Sequence, residues 1–251
     1  MALNPPVIVT EKQLLSKGET VTMKHQIAGT VIRYTLDGSE PDSTSSPVYE
    51  KPIAIDKNTN LKARAFRNGW YGSKLVSKLF FKEGYHVDST QLITPVDQRY
   101  KAKGAASLSD GKIGDTERVS GTWLGYVEND FQSYLFFKKP VKASMVTLST
   151  LLNHGSFIFA PTRIEVWGGA DPKALKLLKV ITPEAPKAYV PGGEIKAYDA
   201  DFAPQSLSCI KVVAKPLAKN TGMASGQRKQ RLAICRRSDR ELRNFMQIHD
   251  I

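Results

Sequence analysis

Four histidines, His25, His86, His154 and His249, are scattered through the 251 residues. No two stand at the HxH or HxxxH spacing that lets one strand or helix aim two imidazoles at a metal ion. Serines, lysines and two cysteines, Cys209 and Cys235, occur without a nucleophile motif such as GxSxG. Glu128 and Asp130 form a close carboxylate pair, but in a strand or loop such a pair is also ordinary surface charge. No Gly-rich phosphate loop is present, and no catalytic residue is assigned. The chemistry that does recur is a flat apolar ring face beside planar hydrogen-bonding groups, the combination that recognises a sugar. Trp123 and Tyr126 lie in a polar, Gly-containing stretch. Asn153 and His154 adjoin between two strands, and Trp70 and Tyr71 fall at a hairpin tip. Three of them have a structural alternative: Trp123 fills a core edge, and Trp70 and Tyr71 pack against a neighbouring domain. Phe157, Phe159 and Trp167 read as core residues.

The elements that must position these groups are strands. In "VIRYTLDGSEPDSTSSPVYEKPIAI", Ile32, Tyr34 and Leu36 alternate with Arg33 and Thr35, the period of a half-buried strand. Asp37-Gly38 supplies a turn, Pro41 stiffens the exit, and residues 43–47 form a loop. "NLKARAFRNGWYGSKLVSKLFF" gives two more strands around Asn68-Gly69. Leu61, Ala63 and Ala65 face one way and Lys62, Arg64 and Phe66 the other. Such spacing predicts a small β-sandwich. Beyond "GYHVDSTQLITPVD" the character changes without a long linker. Tyr134 and Phe136, then Met145, Thr147 and Ser149, alternate with their neighbours. "TRIEVWGG", "IKAYDADF" and "SLSCIKVVAKP" read as further strands, and no helix-period stretch competes with them. Many strands joined by long loops predict a jelly-roll sandwich.

Both stretches resemble known families. "IRYTLDGSEPDSTSSPVY" followed by "LKARAFRNGW" resembles the fibronectin type III-like domain found C-terminal to the catalytic barrel of chitobiases and β-hexosaminidases, over about residues 5 to 82. In that family the domain is an accessory module. "LSDGKIG", "GTWLGY", "YLFFKKPVKASMVTL" and "GSFIFAPTRIEVWGG", in that order, resemble the discoidin-like (coagulation-factor type C) jelly roll. Family members usually read Ile-Asp-Leu-Gly where this chain has "LFFKKP", and Lys139-Pro140 is expected to make the turn instead. Many members bind glycans through loops at one end of the sandwich, and many hold a structural calcium near the Asp-Gly loop. The resemblance therefore implies Asp110 as a calcium ligand, with capping of the turn at Gly111 as its alternative.

Bulk numbers agree with a globular chain: 41% hydrophobic and 24% charged residues. No apolar run approaches the ~20 residues of a membrane span. "ALNPPVIVT" after Met1 lacks the basic start and apolar core of a signal peptide, so the N-terminus reads as cut from a longer protein. Two cysteines make no disulfide framework. The net charge of +12 is unevenly spread, since residues 219–251 hold eight basic and three acidic side chains. The rest is a mild lysine excess, and no specific nucleic-acid partner is expected.

The ending "NTGMASGQRKQRLAICRRSDRELRNFMQIHDI" departs from the strand pattern. A jelly roll closes with a C-terminal strand, and this segment is expected not to supply one. Codons able to encode "MASGQRKQRLAICRRSDREL" permit, read one base later, "WHQGKGSKGWLFVDEVIVN" and then a stop, which reads as a loop and a closing strand. The expectation is a frameshift between about residues 216 and 222. A nucleic-acid-binding arm and a natural disordered tail are the alternatives.

The expected fold class is all-β: a small immunoglobulin/fibronectin-like sandwich over 1–84, a discoidin-like jelly-roll sandwich over 85–218, and an aberrant basic tail over 219–251. The resemblance implies a non-catalytic carbohydrate-binding or accessory region of a bacterial glycan-processing or cell-surface protein. Its partners would be a glycan and an upstream catalytic or cell-surface domain, in the periplasm, at the cell surface or in the medium. The alternatives are the C-terminal fragment of a β-hexosaminidase whose catalytic domain is absent, and a spacer or adhesion module without a sugar site.

Overall fold

The structure is a computed structural model. It describes residues 1–10, 12–116, 121–127, 129–185, 189–190, 192–217 and, as backbone, 243–249. Among them the regular elements are strands and three short 3-10 turns, so the fold is all-β. The chain divides into two compact units, Met1–Glu83 and Gly84–Ile251.

The first unit holds β1 (Val7–Ile8), β2 (Leu14–Leu15), β3 (Thr20–Val21), β4 (Met23–Lys24), β5 (Val31–Thr35), β6 (Ile53–Ala54), β7 (Thr59–Phe66) and β8 (Val76–Lys82). A four-stranded sheet runs β2-β8-β7-β5, and β1-β4 and β3-β6 form two ribbons. Along β7 the alternation is complete: Thr59, Leu61, Ala63 and Ala65 are buried, while Asn60, Lys62, Arg64 and Phe66 are half-buried on the other face. The buried face meets Leu15, Val21, Ile32, Ile53 and Phe80 in one core. Leu36 lies past the end of β5 and is exposed. The Asp-rich loop after β5 is held by its own side chains. Asp37 Oδ1 accepts from the Ser39 amide at 3.0 Å, and Gly38 takes φ +81°, which a side chain would strain. Asp42 accepts from the amides of Thr44 and Ser45 at 2.7 and 2.6 Å and from the Ser45 hydroxyl. The Ser45 bonds come first in holding its carboxyl far below the usual range. The Tyr-Thr-x-Asp-Gly-Ser-x-Pro string is thus a loop-building motif, which explains its residue types without any ligand.

The second unit holds β9 (Ser89–Leu92), β10 (Leu124–Val127), β11 (Phe131–Leu152), β12 (Arg163–Gly169), β13 (Lys176–Ile181), β14 (Glu194–Lys215) and β15 (Arg243–His249). The hydrogen-bonded order is β10-β15-β11-β14-β12-β13, with β9 also on β11. β11 and β14 each run through two layers. Phe131–Phe136 pairs with Cys209–Ala214 and with β9; Met145–Leu152 pairs with Glu194–Asp201 and with β15. The register breaks between Phe136 and Val141 and between Ala143 and Met145. Pro140 lies in the first irregularity and Pro204 opposite the second. Proline has no ladder donor and is tolerated in such bulges. Lys139-Pro140 is therefore a strand bulge and not the expected turn, and "IKAYDADF" and "SLSCIKVVAKP" are halves of one bent strand. Leu135 and Phe137 from one half of β11 and Val146 and Leu148 from the other meet Ile210, Val212 and Ala200 in a single core. Each such large aliphatic side chain contributes roughly 1.5–3 kcal/mol by burial.

β15 corrects the expectation that the basic ending supplies no closing strand. Its backbone pairs with β10 (Leu124↔Met246) and with β11 (Thr150↔Met246, Leu148↔Ile248). The physical reason is twofold. β10 and β11 each offer a row of N–H and C=O groups that require a partner. The sequence RNFMQIH also places apolar residues at the two register positions opposite the core residues Leu124 and Leu148. Residues 218–242, including Cys235 and most of the Arg-rich run, lie outside the described residues.

Candidate functional site

Three loops of the second unit converge on a small cluster of Trp123, Leu151 and Ile158, with Tyr100 and Ile195 against it. Gly114 lies so close under the indole of Trp123 that a Cβ there would sit 2.3 Å from the ring. Trp123 Nε1–H donates to the Asp115 carbonyl at 2.8 Å. At Gly193 a Cβ would meet the Thr116 carbonyl oxygen at 2.0 Å, so the loop before β14 rests on the loop before β10. Both close approaches require glycine.

The third loop follows β11. The Asn153 side chain accepts from the Ser156 amide at 3.0 Å, and its backbone amide donates to the Ile158 carbonyl at 3.0 Å. Phe157 takes the left-handed region at φ 59°, unusual for a bulky residue. His154 is 2% exposed. It clamps the neighbouring segment twice: its amide donates to the Val190 carbonyl at 2.9 Å, and its Nδ1 accepts from the Val190 amide at 3.0 Å. Acceptance at Nδ1 leaves the proton on Nε2. Burial lowers the pKa of His154, which keeps the ring neutral. The imidazole makes tilted ring contacts with Phe159, centroid distance 5.3 Å, and with Tyr189, 5.6 Å. Tyr189 itself is 54% exposed. The result is a half-exposed tyrosine in contact with a fixed, buried histidine at one loop end of the second unit.

The sequence candidates separate on this geometry. Asn153 and His154 belong to the site, His154 as support and Asn153 as the brace of its turn. Trp123 and Tyr126 do not present a ring: they are 2% and 1% exposed. Tyr126 lies in β10 and not in a loop, edge-on to Phe131 at 5.3 Å. Burial pushes its phenol well above the usual value, and among the described residues its Oη has no hydrogen-bond partner. Trp123 is a core residue, packed with Leu151 and Ile158. Phe159 is buried too, whereas Trp167 is half-buried on an outer sheet face. Tyr189 was not singled out from the sequence. Its signal is a lone aromatic inside the Pro-rich run "TPEAPKAYVPGG".

Trp70 and Tyr71 belong to the first unit, at the turn between β7 and β8, where Gly69 takes φ +74°. The Arg67 guanidinium stands 5.4 Å from the Trp70 ring. Tyr71 is 77% exposed, and its backbone is tied to Met1 and Leu3. Asp110 carries an ion pair from Lys103 Nζ at 3.0 Å and accepts from the Lys112 amide at 3.1 Å. A calcium ion needs six to eight oxygens. Among the described residues no group of three or more His, Cys, Asp or Glu side chains could hold a metal. The Lys112 amide on its carboxylate matches the turn-capping alternative for Asp110, and Glu117 of the same loop lies outside the described residues. Cys209 is buried, and burial first, then Asp171, pushes its thiol up to about 11, far from a reactive thiolate.

Residues 21–80 match the family model described as Fn3 associated, within the stretch that resembles the fibronectin type III-like domain. No curated protein matches the chain. Solved structures that it resembles include chitosan-binding module 1 from a Paenibacillus chitosanase/glucanase. That module is 10% identical with TM-score 0.37, over 65% of this chain and 95% of that one. The C-terminal domain of a chitobiase from Bacteroides fragilis is 12% identical with TM-score 0.37, over 66% and 95%. CBM32-3 from a family 31 glycoside hydrolase of Clostridium perfringens is 10% identical with TM-score 0.39, over 66% and 92%.

Proposed function

We propose that this chain is a non-catalytic carbohydrate-binding accessory region of a bacterial glycan-processing or cell-surface protein, and that it binds glycan at the loop end of its second unit. The observation that carries this reading is the exposed Tyr189 ring in contact with the buried, neutral His154. Aromatic faces bind the C–H surface of a pyranose, and an orienting clamp lowers the entropic cost of holding the ring. The ordered resemblance of the second stretch to discoidin-like jelly rolls supports glycan binding through loops at one end of the sandwich. In this reading turnover belongs to a domain elsewhere in the parent protein. Whether that parent is a β-hexosaminidase or a surface protein does not alter the binding role.

The test is a glycan array on the whole chain, followed by titration of the best binder. Binding is expected, and Tyr189→Ala should weaken it about fivefold, the loss of roughly 1 kcal/mol of stacking. A chain that binds nothing on the array, or a Tyr189→Ala protein that binds as well as the parent, would support the spacer reading.

A further inference from the structure

The outer face of the layer built from β9, β11, β14, β12 and β13 carries side chains that the loop site does not use. Register sets Gln91, Tyr134, Lys211, Trp167 and Leu177 in one row across the five strands. Alternation puts them opposite Leu135, Ile210 and Val166, which face the core. Tyr134, Lys211 and Trp167 are half-buried, and Phe136 lies beside Tyr134 with ring centroids 5.7 Å apart. The Trp167 ring is held in place: its Nε1–H donates to Glu165 Oε2 at 3.1 Å, and Arg163 Nε donates to Glu165 Oε1 at 2.6 Å. Lys211 Nζ stands 6.0 Å from the Tyr134 centroid. Glu165 is engaged by Arg163 and Trp167, so the charge this face shows to a ligand is positive, from Lys211 and from Lys215 opposite Arg163.

We propose that this face is a second, independent binding surface: a flat platform for an acidic polysaccharide laid across the strands. Three features select that ligand. Adjacent strands lie ~4.8 Å apart, so the Trp167 and Tyr134 positions are about 10 Å apart with Lys211 between them. That leaves room for a sugar ring on each aromatic and a carboxylate over the ammonium. A sheet face has no walls to enclose a single sugar, so the ligand is an extended chain. A neutral chain would bury the Lys211 ammonium without a partner, which is costly, whereas a uronate supplies one.

The experiment is affinity electrophoresis and titration of the full chain with sodium alginate, with dextran as the neutral control. Alginate should retard the protein, less so as salt is raised, and dextran should not. Retardation should persist when the loop site is saturated with the neutral glycan selected on the array, so either site can fail without the other. Trp167→Ala and Tyr134→Ala should each weaken alginate binding about fivefold. Trp167→Phe should retain it, which guards against a folding artefact. Lys211→Gln should weaken it and flatten its salt dependence. Absence of retardation, equal retardation by dextran, or unchanged binding in Tyr134→Ala and Lys211→Gln would overturn the proposal. So would a concentration-dependent dimer that Tyr134→Ala dissolves, since the face would then belong to a second copy of the chain.

Discussion

At the residue scale, His154 ties the site to the stability of the unit. Its imidazole is buried, accepts the Val190 amide at Nδ1 and contacts the Tyr189 ring. Protonation would turn that acceptor into a donor facing another donor. The folded pKa lies below the ordinary value of 6.5 because burial penalises the charged form. The unfolded chain therefore takes up a proton first as pH falls. Stability is full above about 6.5 and is lost as pH falls from there toward the lower folded value. Thermal melts across pH 7.5 to 5 should show a falling melting temperature that His154→Gln, which cannot titrate, lacks in part. Equal slopes in the two proteins would remove His154 from this role. Trp123 shows how far residue type alone can be read. A tryptophan in a Gly-containing stretch suits a sugar site as well as a core. What decides is the backbone of Gly114, nine residues away, closing over the ring, a tertiary fact that spacing does not encode. Asn153 and His154 were legible as polar groups between strands. Tyr189 was not, because no alternation or turn signal marks a single aromatic in a Pro-rich loop.

At the scale of elements, period-two alternation marks β7 and the first half of β11, whereas residues 146–152 of β11 are buried throughout. β7 buries every second residue as its sequence implies, and the halves of β11 and β14 were each recognisable. Their continuity was not, because Pro140 and Pro204 read as turn signals although a bulge absorbs them within a strand. β13, with the sequence KLLKVI, escaped notice because it sits at the sheet edge with an irregular exposure pattern. β15 is the element whose presence overturns an expectation. A proline at its centre tests it: Met246 pairs with both Leu124 and Thr150. Met246→Pro removes a ladder donor and leaves neighbouring groups unpaired, costing about 1–3 kcal/mol. For a unit of this size the melting temperature should drop by on the order of 5 °C, with increased aggregation from the opened edges. A variant that melts with the parent would mean that the closing strand contributes nothing, and would return weight to the frameshift reading of the basic ending. Sequencing the gene across codons 216–251 addresses that reading directly.

At the scale of the molecule, the chain comprises two β units, each with its own core, and the function proposed here places recognition in loops and faces instead of a catalytic cleft. The class of fold was legible because turn chemistry and alternation agree along most of the chain. The ligand-facing surface was less so, because three loops far apart in sequence meet over Trp123, Leu151 and Ile158 only once both layers have formed. The central claim is that glycan binds at this loop end. The most direct measurement is an NMR titration of the isotope-labelled chain with the array-selected oligosaccharide, reading amide shifts residue by residue. The account predicts that the largest shifts cluster at 153–158, 189–190 and 192–195, with Tyr189 and Val190 among them. Saturable binding whose shifts fall outside these segments, or no shifts at all at millimolar ligand, would contradict it.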